Sequence, residues 1–195
     1  MRPFIVIHRQ RLLNTIVFFA QNTRYCGKIK LFKLLYLLDF EHFRQTGKSV
    51  TGYDYQAWKF GPVPVDLMEE WEQLETDLAA VVEIVPEVVI DYVRQTVKPR
   101  DGVAFDDQDF SPRQLRIMQD LVDRYKDTLS PAMIDVTHTQ NGAWDRVWRG
   151  GAGGGDPIPY ELGIPDDDPN RSAILSIAQD HAMYQSARRA EPARH

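Results

Sequence analysis

A chain of 195 residues, 43% of them hydrophobic and 26% charged, is long enough to bury one core and too apolar to be disordered throughout. Its 23 Lys and Arg against 28 Asp and Glu leave a net charge of −5, a poor basis for gripping phosphate backbones through the bulk field. A single cysteine excludes an intramolecular disulfide and a four-cysteine zinc site, and it points to a reducing, cytoplasmic setting.

The first helix is expected over about residues 4–22, with Ile5, Leu12, Leu13, Ile16, Phe19 and Ala20 on one stripe. Its apolar start breaks off at His8, with Arg9 and Arg11 following, so a secretory signal is not expected. Residues 28–46 form the strongest helical pattern. Leu31, Leu34, Leu35 and Leu38 share a face, flanked by Phe32, Tyr36, Phe40 and Phe43. Only Lys30, Lys33, Glu41 and Arg44 are left for a polar strip, so this helix belongs in the middle of a fold. Four charged or titratable side chains, Lys33, Asp39, Glu41 and His42, argue against a membrane span. Gly47 is placed to end the helix.

Residues 49–64 carry glycine, proline and large aromatics and read as a shaped loop with one short strand. Pro64 suits the first turn of a helix over about residues 65–78, striped by Leu67, Met68, Trp71, Leu74 and Leu78. Residues 81–105 turn β-branched. One or two small hairpins are expected there, with Asp101-Gly102 as a turn signal, and a continuous helix over 81–93 competes. Ser111-Pro112-Arg113-Gln114 is a helix start, followed by Leu115, Met118, Leu121, Val122, Tyr125 and Leu129. Ser130-Pro131 opens a short helix to about Thr137. The run Gly150-Gly151-Ala152-Gly153-Gly154-Gly155 reads as a flexible joint. A last helix over 171–189 is expected to face the core with Ile174, Ile177, Ala178, His181 and Tyr184, and residues 188–195 read as a polar, basic tail. The fold class is therefore mainly α: a compact helical domain around a central apolar helix (about 28–46) with a small β-hairpin appendage (about 81–105). Residues 1–150 form the domain, and the glycine-rich joint and helix of 151–195 pack on it.

Chemistry-bearing motifs are sparse. His8, His42, His138, His181 and His195 include no H-x3-H pair and Cys26 has no C-x-x-C mate, so neither a metal nor a cofactor is expected. No G-x-S-x-G surrounds a serine, and the glycine run lacks the Lys-Ser/Thr of a phosphate loop. The acidic clusters 106–109 and 166–168 lack calcium-loop spacing and read as solvated loops. Two features stand out. Asp39 falls inside the apolar arc of the central helix, with His42 near Leu38, and a carboxylate there is costly unless it is satisfied. It is either a catalytic or partner-binding group or, with more weight, a buried acceptor for backbone N–H groups of the 53–63 loop. The second is that loop itself, where Tyr53, Tyr55, Trp58, Lys59 and Phe60 form an aromatic group typical of partner anchors. Some of these rings are expected to plug the core and one or two to be displayed.

The ordered blocks Lys30-Leu31-Phe32-Lys33-Leu34-Leu35-Tyr36-Leu37-Leu38-Asp39, Thr51-Gly52 and Ala57-Trp58-Lys59-Phe60-Gly61-Pro62-Val63-Pro64 resemble the Panacea domain of the SocA-like antitoxins. Leu129-Ser130, Thr137-His138 and Trp144 match that family's later element, so the resemblance covers roughly residues 28–148. It implies a non-enzymatic antitoxin, often bacterial or phage-borne, that binds a toxin encoded by an adjacent gene. A proteolytic adaptor handing the toxin to ClpXP is the alternative, and a DNA-binding autorepressor or an enzyme using Asp39 and His138 ranks lower. The family positions carried over are Lys33, Tyr36, Asp39, Trp58, Gly61, Pro62, Thr137, His138 and Trp144.

Overall fold

The computed structural model describes residues 3–89 and 92–190; the far end of the expected tail and His195 lie outside the described residues. Among them are eight α-helices and two small antiparallel sheets, a mainly α architecture. Helix α1 (Pro3–Asn22) buries Leu12, Leu13, Ile16, Val17 and Phe19, and α2 (Lys28–Thr46) buries both its leucine face and its aromatic flank. Gly47 closes α2 in the left-handed region (φ 69°), its N–H bonded to the Phe43 carbonyl. Helix α2 packs against α1 and later against α5 (Pro112–Tyr125), α6 (Ser130–Thr137) and α8 (Arg171–Ala190).

The polar strip assigned to α2 needs correction. Lys30 and Lys33 are among the most buried side chains in the molecule, with 0% and 2% exposure. Lys30 Nζ donates to the carbonyls of Arg24 (2.7 Å) and Lys126 (2.9 Å), just past the ends of α1 and α5, where backbone oxygens lack helical partners. A lysine can line an apolar face when its tip finds carbonyls to bond.

The 49–64 segment holds two strands, not one. Strand β1 (Tyr55–Trp58) pairs with β2 (Gly61–Pro64) as a hairpin turning at Lys59-Phe60. The helix expected over 65–78 is interrupted: α3 (Val65–Glu72) ends at Gln73, which is extended, and α4 (Thr76–Val81) follows. Arg9 spans the break by reaching both Glu70 and Asp77. Strands β3 (Val82–Val89) and β4 (Tyr92–Pro99) form the appended hairpin, so the continuous helix over 81–93 is excluded. Their register runs from Val82 opposite Pro99 to Val89 opposite Tyr92, and Asp101-Gly102 makes a turn after β4.

Ser111 caps α5 with the complete reciprocal capping box expected of it. Leu129 does not belong to that helix; it precedes α6 and is exposed. Helix α7 (Ala143–Trp148) leads into a 3-10 turn, Arg149–Gly151. The glycine run is not a loose joint. Gly155 N donates to Ala57 O, Ala57 N to Asp156 O, and Ile158 N to Tyr55 O, so residues 155–158 line the open side of β1. On α8 only the first part of the expected stripe is covered: Ile174 is buried, whereas Ile177 and Tyr184 are exposed.

Candidate functional site

Helices α2, α6 and α7 converge on the β1–β2 hairpin. From α2 comes Lys33, whose Nζ donates to the Pro62 carbonyl at 2.8 Å. Burial with no carboxylate alongside pulls this amine down to about 7. Gly61 (φ 97°) lies directly over it. A Cβ at Gly61 would approach Lys33 Nζ to 2.7 Å and Thr137 Oγ1 to 2.9 Å, so both the space and the backbone demand glycine. Thr137 turns its hydroxyl back onto the Ile134 carbonyl at 3.0 Å, within α6. The next residue, His138, stacks on Trp144 with ring centres 3.7 Å apart and planes 2° apart. Its Nε2 is buried without a hydrogen-bond partner among the described residues, and burial together with the Lys33 charge lowers its basicity.

Trp144 is the hub. Its Nε1 donates to the Trp58 carbonyl at 3.1 Å, tying α7 to the end of β1, and its ring stacks with Trp148 at 5.4 Å. The Tyr36 hydroxyl lies against the backbone of Trp144, and burial pushes this phenol up. Trp148 was not singled out in the sequence, although its i, i+4 spacing from Trp144 places both on one helix face.

The hairpin's own side chains divide sharply. Tyr55, expected among the anchors, is 1% exposed and so not displayed at the surface: its hydroxyl donates to Asp39 at 2.8 Å. Tyr53 is half-buried, with Tyr160 bonded to its carbonyl. Trp58 and Phe60, at 39% and 59% exposure, are displayed at the tip with Lys59 between them, its ammonium 5.6 Å from the Phe60 ring centre.

Asp39 lies away from this surface. It is wholly buried and accepts from Val50 N (2.7 Å), Thr51 N (2.8 Å), the Thr51 hydroxyl and Tyr55 Oη. Burial pushes its carboxyl above the usual carboxylate range, and the four donors draw it part of the way back. The N–H donors come from residues 50 and 51, just before the loop expected to supply them. His42 is equally local, its Nδ1 2.6 Å from the Lys48 carbonyl. Asp39 and His138 are not brought together, since one sits under Thr51 and the other on Trp144.

Among the described residues no three His, Cys, Asp or Glu side chains are grouped to hold a metal ion, and no helix is long and apolar enough to cross a membrane. No match to the chain was found among curated proteins or among solved structures. One family pattern does match: the antitoxin SocA-like, Panacea domain, over residues 31–145. That span runs from the second turn of α2 to the first turn of α7 and takes in Lys33, Asp39, Gly61, Thr137, His138 and Trp144. With more than half of its length matched, the chain belongs to the SocA-like antitoxin family.

Proposed function

We propose that this protein is the antitoxin of a toxin–antitoxin pair and neutralises a toxin from an adjacent gene by direct binding through the tip of the β1–β2 hairpin. The observation that carries the reading is the display of Trp58 and Phe60 on a hairpin whose base is held from below by Lys33 and from the side by Trp144. Aromatic rings held in place before contact lose little freedom on binding, which is how a few residues come to dominate an interface. Lys59 between them supplies a cation for an acidic group of the toxin and favours encounter more than affinity.

The test is co-expression with the product of the neighbouring gene, followed by size-exclusion chromatography and a growth-rescue assay. The intact chain is expected to co-elute and rescue. The W58A/F60A double variant is expected to bind at least about 30-fold more weakly, some 2 kcal/mol, while keeping its melting temperature. Full binding by that variant would remove the hairpin from the interface. Toxin half-life, followed in the same cells with and without ClpXP, separates neutralisation (half-life unchanged) from delivery to a protease (half-life shortened).

A further inference from the structure

A second site lies away from the hairpin. The last turn of α2, the start of α5 and the first turn of α8 enclose an open cleft of about 390 Å³, lined by Arg44, Gln45, Arg113, Asp168, Asn170 and Ile174. Two arginines thus line one small concavity in a protein of net charge −5. Arg113 makes no ion pair or hydrogen bond among the described residues. Among the described residues Arg44 pairs with the adjacent-turn Glu41 at 2.9 Å, whose same oxygen accepts from Gln45 at 3.1 Å, an exposed pair of the kind readily exchanged for a better acceptor. The surroundings add positive charge: Arg113, Arg11 and Lys48 all act on the nearby His42 and disfavour its protonation. Asp168 is the counterweight. Its Oδ1 accepts from Asn170 N at 2.8 Å, and Glu41, bonded to Arg44 and Gln45, brings a second carboxylate beside the lining.

We infer that this cleft binds a small phosphomonoester. The planar guanidinium forks of Arg44 and Arg113 match the oxygens of a phosphate, which can take two parallel N–H donors from each. The Asn170 amide adds a neutral donor, and that of Gln45 would have to leave Glu41, to which it donates at 3.1 Å. Asp168 repels a bare anion but accepts from a hydroxyl, so it favours a phosphate carried on a polyol over the free ion. Ile174 offers the single apolar wall, so a large hydrophobic ligand is not accommodated.

Calorimetric titration of the whole protein with glycerol 3-phosphate, inorganic phosphate, glycerol and sodium sulfate tests this. Glycerol 3-phosphate is expected to bind in the micromolar to low millimolar range, inorganic phosphate more weakly, and glycerol not at all. R113A is expected to weaken glycerol 3-phosphate by about tenfold or more with no change in melting temperature, and R44A to do likewise. D168N is expected to narrow the gap between the ester and free phosphate. No binding of the ester, equal heats from sulfate, or binding that survives the R44A/R113A double variant would each overturn the proposal.

Discussion

Lys33 and Asp39 are buried charges six residues apart on one helix, and they are satisfied by opposite means. Asp39 gathers four donors from a short stretch of chain, so its role is to pin residues 50–55 beneath α2. Removing it leaves those donors buried and unpaired. D39A is expected to lose about 3 kcal/mol of stability in urea unfolding, and D39N to recover part of that. An unchanged midpoint would reopen a functional role for the carboxylate. Lys33 has a single acceptor, the Pro62 carbonyl, and its folded-state basicity is drawn down to about 7 from an ordinary 10.5. The unfolded chain then holds a proton that the folded one gives up. The resulting penalty is full below about pH 7 and is relieved as the pH rises toward 10.5. Relative to K33M, the parent chain should therefore gain stability across that window, by a few kcal/mol at most on the order of the shift. Parallel pH profiles that never diverge would contradict a neutral amine at this position.

At the scale of elements, what could be read from the chain follows from what each pattern encodes. Helical stripes depend only on spacing, and α1, α2 and the start of α5 come out where period and caps place them. The break between α3 and α4 could not be read that way, because Trp71, Leu74 and Leu78 keep a helical spacing while the backbone unwinds at Gln73. What the pattern omits there is Arg9, a residue of another helix that clamps both pieces. The lysines of α2 escape the helical pattern for a related reason. A charged letter reads as polar surface, and only the tertiary fold reveals carbonyls of Arg24, Lys126 and Pro62 waiting at the tip of each chain. The loop reading caught the aromatic cluster and its division into plugs and displayed rings. Which ring fell on which side depended on the two-residue alternation of β1, which buries Tyr55 and Ala57 and turns Trp58 outward. The arginine cleft left no local signal, since Arg44, Arg113 and Asn170 are separated by more than fifty residues at each step.

For the whole molecule, the family pattern ends at residue 145, yet the folded unit does not. Residues 155–158 bond to the N–H and the carbonyl of Ala57 and to the carbonyl of Tyr55, and Tyr160 joins the ring cluster of Tyr36, Phe40 and Tyr55. The surface we assign to toxin binding is thus built by the matched region and braced by the segment after it. This brace has a consequence for solubility. Without it, β1 keeps its pairing with β2 but presents an unpaired row of N–H and C=O groups next to displayed aromatics, a template for strand addition by a second copy. A chain ending at residue 150 is expected to self-associate in light scattering as its concentration is raised, whereas the full chain stays free of that particular contact. A truncated chain that remained monomeric would show that the open edge is harmless. In a member of the SocA-like antitoxin family whose hairpin tip displays aromatic rings, the glycine-rich return would keep the neighbouring strand edge away from another molecule of the same chain.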